Sequence, residues 1–537
     1  MTDADRSFRL LAAQAVDAVL AFEPELATSL GRHEHDHRMN DRTVDGLAAQ
    51  ASSYRSLLAE LADIRAADLH GDDRVDAAIL ANALESRVFA IEELRELEWN
   101  PLNYVPGNAL YPLLARPILP AADRLEAVAA RLRVVPEIFE ICRRQLRRPP
   151  RVHLETAIGQ NQGALLLVRD EVARLQAEEP RLDRVVGPAR AAAIEAIEAH
   201  GRWLGGILEE GADGEFRIGA DRFGRKLRLA LHSELSAEAV LARAHAHLAE
   251  LEDHLFEAAC AQVGAGTRDD REATIRRALD AVAERRPNDA TIVAEATDQL
   301  AALADAVRDL GIAKLPSDPC KVEVMPEFRR GVAVAYCDSP GPFEQGGDTF
   351  LAVAPTPADW SAERIESFYR EYNSAALVNL MVHEGFPGHA LQLAHNRGFR
   401  GTTPVRQAFR SGPFVEGWAV HAERLMVEAG HGGPPVRLQQ LKMQLRMTIN
   451  AILDAEVHAG GLTEEAALEL MMRRGYQEEG EAAGKWRRAC LGSAQLSTYF
   501  VGYTELAPVL SGRGPGSNFD DVLAHGSPPP SLLAGLL

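Results

Sequence analysis

Two histidines and a glutamate in one short string carry the strongest chemical signal in this sequence. The string at 380–392 reads LMVHEGFPGHALQ and contains His383, Glu384 and His389. A hydrolytic zinc site needs two or three neutral imidazole or carboxylate ligands, one open position and a nearby carboxylate base. The HExxH helix meets that need because residues four apart share a face. Here the fourth position after His383 is Pro387, and the second histidine comes two residues later. On an ideal helix six residues turn about 600°, which would leave the two imidazoles about 120° apart. Pro387 cannot donate to the carbonyl of His383, and its ring crowds that carbonyl. Gly388 accepts almost any backbone conformation. The expectation is a bulged or broken helix that absorbs two residues and swings His389 back beside His383.

A third ligand must come from another helix. The string SGPFVEGWAVHAERLMVE at 411–428 offers Glu416, with Glu423 seven residues on. Seven residues make nearly two turns, so both carboxylates point the same way. Glu416 would complete a His2Glu set. Glu423 would accept a hydrogen bond from a ligand imidazole and fix its tautomer. Phe414, Trp418, Ala419 and Ala422 surround these acids with apolar bulk, which argues against a solvated acidic face. At 491–503, LGSAQLSTYFVGY places Tyr499 and Tyr503 four apart. A phenol can donate to a developing oxyanion without carrying charge, although the spacing fits a pair of core tyrosines equally well. The string RMTINAILDAEVHAG at 446–460 carries Arg446, Asp454 and His458. Arg446 and His458 are candidates for holding a substrate end. Asp454 is a candidate for supporting the site and, four residues from His458, for pairing with it. Structural ion pairs or capped helix ends are the plainer reading of all three.

The elements that must position these groups are mainly helices. Apolar residues recur at spacings of three and four near 5–30, 44–66, 73–98, 122–148, 156–177, 184–209, 235–263, 271–285 and 289–310. The texture changes near 311. The short segments 321–325, 331–336 and 349–354, bounded by glycine and proline, predict a small sheet. Helices are expected again at 361–384, 406–429, 434–459, 463–474 and 484–507, followed by a proline-rich tail that is loose or surface-bound. The chain therefore divides into a helical region, 1–310, and a catalytic region, 311–537, with the sheet and the metal-binding helices.

Bulk properties narrow the function. A hydrophobic share of 46% over 537 residues is enough for a sizeable core. The net charge of -20 disfavours nucleic acid and anionic membranes as partners. Five cysteines at wide spacings form no CxxC pair, so neither a disulfide framework nor a thiolate zinc site is indicated. The early acidic residues do not read as a signal peptide, and no apolar run suggests a membrane span, so the cytoplasm is the expected location. The basic run CRRQLRRPPR at 142–151 reads as a solvated helix end. Rossmann, Walker and GxSxG spacings are absent.

These strings resemble a known family. HEGFPGHALQ is similar to the HExxPGHxxQ signature of domain-of-unknown-function family 885, and FVEGWAVHAERL to its EGWAxYxExL block, with His421 where tyrosine is usual. DAEVH at 454–458 resembles its DTGxH block, and AQLSTYFVG its PGQALxYxxG block, with Ser493 and Ala494 in place of Pro-Gly. The family is distantly similar to the thimet oligopeptidase, angiotensin-converting enzyme and Taq carboxypeptidase group. That likeness implies a large two-lobed helical shell around a deep channel, with a small sheet at its edge. It also implies that strand 349–354 pairs with an extended peptide, and it adds weight to Tyr499 and Tyr503. The reading is a zinc-dependent hydrolase of metallopeptidase type, acting on a peptide or small amide with Glu384 as base. The alternatives are hydrolysis of a non-peptide amide and a non-catalytic binding protein with a degenerate metal site. The oligomeric state stays open, a homodimer included.

Overall fold

Alanine, leucine, glutamate and arginine dominate this chain, and such a sequence folds as helices wherever an apolar stripe can be buried. The computed structural model describes residues 2–266, 268–325 and 334–537. It is mainly α, with one three-stranded sheet. None of the described helices is long and apolar enough to cross a membrane.

Two compact units emerge. One comprises Met1–Ile218, Gly341–Gly347 and Thr402–Ala408; the other holds Gly219–Pro340, Asp348–Gly401 and Phe409–Leu537. The change of texture near residue 311 falls inside the second unit.

The first unit is a set of amphipathic helices, among them Asp3–Phe22, Val44–Ala62, Asp72–Phe89, Ala121–Gln145, Arg151–Leu166 and Asp183–Gly211. Its two later segments are held by polar contacts. His33 lies between Asp36 (2.7 Å) and Glu344 (3.0 Å). The fully buried Arg406 pairs with Asp72 and Asp76, each at 2.7 Å. The basic run ends the Ala121–Gln145 helix, and Arg148 pairs with Asp213 (3.1 Å).

The second unit carries the candidate site. Its central helix, Gly433–Ala455, is buried on every side from Leu438 onward except at Met443. It packs against Ala237–Val263 and Ser374–Glu384, while Gly412–Glu428 packs along Ser497–Val509. The sheet comprises β1 (Cys320–Val324), β2 (Ala335–Asp338) and β3 (Thr349–Val353) in the order β1-β3-β2. β1 runs parallel to β3 with Cys320 opposite Thr349; β2 runs antiparallel with Ala335 opposite Val353. This corrects the expectation for strand 349–354. It is the central strand, with both edges already paired, so it has no edge left for an extended peptide.

Other differences have local causes. The expected helix 361–384 is two, Ala362–Glu371 and Ser374–Glu384, because the Asn373 side chain accepts the Ala376 N–H (3.1 Å) and starts a new helix. The expected helix 484–507 is also two, Glu479–Leu491 and Ser497–Val509. Helices Gly107–Ala115, Ala220–Leu231 and His389–Gly398 were not expected. Of the expected strand 331–336, residues 331–333 lie outside the described residues, and β2 continues to Asp338. The tail is not loose. Phe519, Val522, Leu523 and Leu533 are fully buried in the core that contains Trp418, and Ser527 accepts a hydrogen bond from Gln392 (2.6 Å).

Candidate metal centre

The Ser374–Glu384 helix stops at Glu384, and a second helix starts at His389. Between them the Phe386–Pro387 bond is cis. Gly388 turns so tightly that an added Cβ would lie 2.0 Å from the His383 carbonyl oxygen, so no other residue fits. The Gly388 N–H reaches back to the Val382 carbonyl (3.0 Å), and the Trp418 indole donates to the Pro387 carbonyl (2.8 Å). Trp418 thus ties the interruption to the Gly412–Glu428 helix. The result is that His383 and His389, six residues apart, stand with ring centroids 4.7 Å apart.

Glu416 faces both rings. Its Oε2 lies 3.5 Å from Nε2 of His383 and 3.4 Å from Nε2 of His389. One ligand atom from each of the three residues lies within 4.8 Å of the others. A tetrahedral ion with bonds of about 2.1 Å holds its ligands about 3.4 Å apart, so the separations suit one shared cation. The unmet valence points the same way, since Glu416 Oε2 is buried and makes no hydrogen bond among the described residues. Burial opposes charge on His383, but Glu416 and Glu423 outweigh it and hold its pKa well above the ordinary value. Burial would raise the Glu416 pKa, yet the two imidazoles bring it below the usual carboxylate range. Both shifts express a cluster that favours positive charge at its centre. The donor set, two imidazoles and a carboxylate, fits zinc.

Around this cluster stands a supporting layer. His383 Nδ1 lies 2.7 Å from Glu423 Oε1, and Asn379 donates to the other Glu423 oxygen (2.8 Å). With Nδ1 directed at Glu423, the neutral ring that would ligate a cation carries its hydrogen on Nδ1 and presents Nε2 toward Glu416. Glu384 accepts the Cys337 backbone N–H from β2 (3.0 Å). Burial first, and then the charge of Glu416, raises the Glu384 pKa, while both histidines oppose the shift. A carboxylate whose pKa is raised in this way holds a proton more readily than a solvated one.

The later candidates divide. Tyr499 lies on the Ser497–Val509 helix that packs along the Gly412–Glu428 helix carrying Glu416, and burial, followed by the Glu416 charge, raises its pKa, so its hydroxyl stays neutral. It also accepts a hydrogen bond from Arg488 (3.1 Å). Tyr503 instead packs against Arg424 (5.9 Å from its ring centroid) and His247 (centroids 6.3 Å apart). Asp454 does not pair with His458, which corrects that expectation. It is fully buried and accepts from the Ala494 N–H (2.8 Å), the Ser497 N–H (2.9 Å) and the Ser497 hydroxyl (2.7 Å). It thereby anchors the turn that begins the Tyr499 helix. His458 Nε2 instead lies 2.9 Å and 3.0 Å from the carbonyls of Ala489 and Gly492, closing the Glu479–Leu491 helix. Arg446 is buried between Glu371 (3.2 Å) and Glu481, so its donors are spent on the protein itself. Asn379, Lys485 and Arg488 escaped the reading of the sequence. A polar Asn379 one turn before His383, inside the apolar run ALVNLMV, was the available signal for the first.

Fold and site together define a mainly helical protein built around a buried His-His-Glu cluster with a second acid behind its first imidazole. The chain belongs to the family described as "Bacterial protein of unknown function (DUF885)", which matches residues 24–537. Among solved structures it is similar to a presumed lipoprotein of unknown function from Shewanella oneidensis. The identity is 28% and the TM-score 0.81, over 98% of this chain and 99% of that one. A presumed lipoprotein from Colwellia psychrerythraea shares the fold at 16% identity and a TM-score of 0.80, over 99% of this chain and 98% of the other. No curated protein matches.

Proposed function

We propose that this protein is a zinc-dependent hydrolase of peptide or amide bonds, of metallopeptidase type, with His383, His389 and Glu416 as the ligands. The observation that carries this reading is the convergence of three donor atoms within 4.8 Å, with the Glu384 carboxylate next in the chain to the first of them. A zinc ion bound there would polarise the substrate carbonyl and lower the pKa of water. Glu384 takes the proton of the attacking water and delivers it to the leaving nitrogen. The Cys337 N–H keeps one Glu384 oxygen in place (3.0 Å), which leaves the other for this transfer. The Tyr499 hydroxyl, already accepting from Arg488, has its own proton to donate to the developing oxyanion. Asp454 fixes the start of the Tyr499 helix.

The substrate is a peptide or a small amide, and nucleic acid is disfavoured by the charge of -20. We place the protein in the cytoplasm, where its free thiols stay reduced; the description of both structural neighbours as lipoproteins is the competing location. The test is Glu384→Gln. It keeps the ligands, so elemental analysis should still find one zinc per chain, while turnover of a short-peptide library should fall by about 10² to 10⁴. Normal turnover by this variant rules the mechanism out.

A further inference from the structure

Charged side chains meet where the Gly433–Ala455 and Glu479–Leu491 helices pack. Glu371 accepts from Lys442 (2.9 Å) and Arg446 (3.2 Å), and Arg446 also reaches Glu481. Tyr372 donates to Glu481 (3.0 Å). Two acids are thus matched by two cations. Two further cations, Lys485 and Arg488, lie three residues apart on one face of the second helix.

Among the described residues neither pairs closely with a carboxylate. Lys485 is 9% exposed and makes no hydrogen bond or close ion pair among the described residues. Burial, then Arg446, lowers its pKa to about 7, against the pull of Glu481. Arg488 is exposed and donates to the Gln495 side chain (2.8 Å) and the Tyr499 hydroxyl (3.1 Å). Among the described residues it pairs with no acid, in a chain that carries twenty more acidic than basic side chains. Arg488 therefore stands beside Tyr499, on the Ser497–Val509 helix that packs closely along the Gly412–Glu428 helix carrying Glu416. An arginine whose fork is not filled by the protein is the group that best binds a planar, two-oxygen anion.

We propose that Arg488, backed by Lys485, is a carboxylate-recognition subsite beside the His383, His389 and Glu416 cluster. The substrate is then an amide cleaved next to a free carboxylate: an N-acyl amino acid or the last bond of a short peptide. This rests on the hydrolase reading for its substrate, but not for its binding chemistry. The guanidinium fork matches the two coplanar oxygens of a carboxylate, and inorganic phosphate is the competing anion that the experiment includes.

The experiment is calorimetric titration of the full-length protein, with and without zinc, using benzoylglycine and its carboxamide. The acid should bind roughly tenfold to a hundredfold more tightly, the range for one charge-assisted hydrogen-bonded contact. Arg488→Gln should erase the preference and Arg488→Lys should retain part of it, with melting temperatures confirming that both fold. Equal binding of acid and carboxamide overturns the subsite. So does an unchanged preference in Arg488→Gln, or competition by inorganic phosphate as strong as that by benzoylglycine. Tyr499→Phe separates the two neighbours: it should slow hydrolysis while leaving the binding preference intact. If the preference holds and the zinc-loaded protein hydrolyses neither compound nor any peptide, the hydrolase reading fails and the subsite stands. If peptides are cleaved without regard to a free carboxylate, the reverse is true.

Discussion

At the scale of single residues, His383 shows how an imidazole is oriented for the metal role proposed above. Its Nδ1 is committed to Glu423 at 2.7 Å, and Glu423 is in turn held by Asn379 at 2.8 Å. Glu423 is 3% exposed, so this contact acts in a low-dielectric setting. Glu423→Gln keeps the shape but removes the charge, and its amide could donate to Nδ1 and favour the wrong tautomer. Zinc affinity should fall by about 10- to 100-fold, read by competition with a chromogenic chelator. An unchanged zinc affinity would separate Glu423 from the metal site. Arg446 teaches the opposite lesson. Its type and place suggested a substrate contact, yet Glu371 and Glu481 consume its donors. A residue's chemistry is decided by which partners reach it first.

At the scale of elements, the site depends on two close approaches. The Pro-Gly interruption lets two helices start and stop within four residues, and Trp418 anchors it. The Gly412–Glu428 and Ser497–Val509 helices touch backbone to backbone, so a Cβ on Gly502 would lie 2.0 Å from the Pro413 carbonyl oxygen. These helices carry Glu416 and Tyr499. Gly502→Ala must push them apart, at a cost of about 1–3 kcal/mol for overpacking. Urea unfolding should show that loss, accompanied by reduced turnover. Stability equal to wild type would mean that the helices do not meet as described.

At the scale of the whole molecule, the chain leaves the first unit and returns to it twice, at Gly341–Gly347 and Thr402–Ala408. His33 holds one return, between Asp36 and Glu344. Hydrogen bonds first to Asp36 and then to Glu344 outweigh burial and raise its pKa to about 10. A histidine pKa raised on folding gives stability that is full below the unfolded value of about 6.5 and is lost as pH rises through the folded value. Stability of the full-length protein should therefore decline between about pH 6.5 and 10 in excess of the decline in His33→Asn. Parallel denaturation series for the two proteins give the comparison. Identical slopes would show that the imidazole is not charged between those acids.

The sequence by itself determined what depends on neighbours along the chain. Helical periodicity, the break at Pro387-Gly388 and the positions of β1 and β3 all follow from side chains within a few residues of one another. The types and spacing of His383, His389, Glu416 and Glu423 likewise named a cluster, because two helical turns suffice to align the two acids. Only the tertiary structure decided what depends on distant partners. It placed β3 between two strands, packed the tail's Phe519 beside Trp418 and turned Asp454 toward Ser497. It also spent Arg446 on internal acids while leaving Arg488 beside Tyr499 with no acid among the described residues. Local propensity acts over a turn of helix, whereas pairing of buried charges and strand edges is chosen among partners tens of residues away. That choice is made by packing, which no local pattern records.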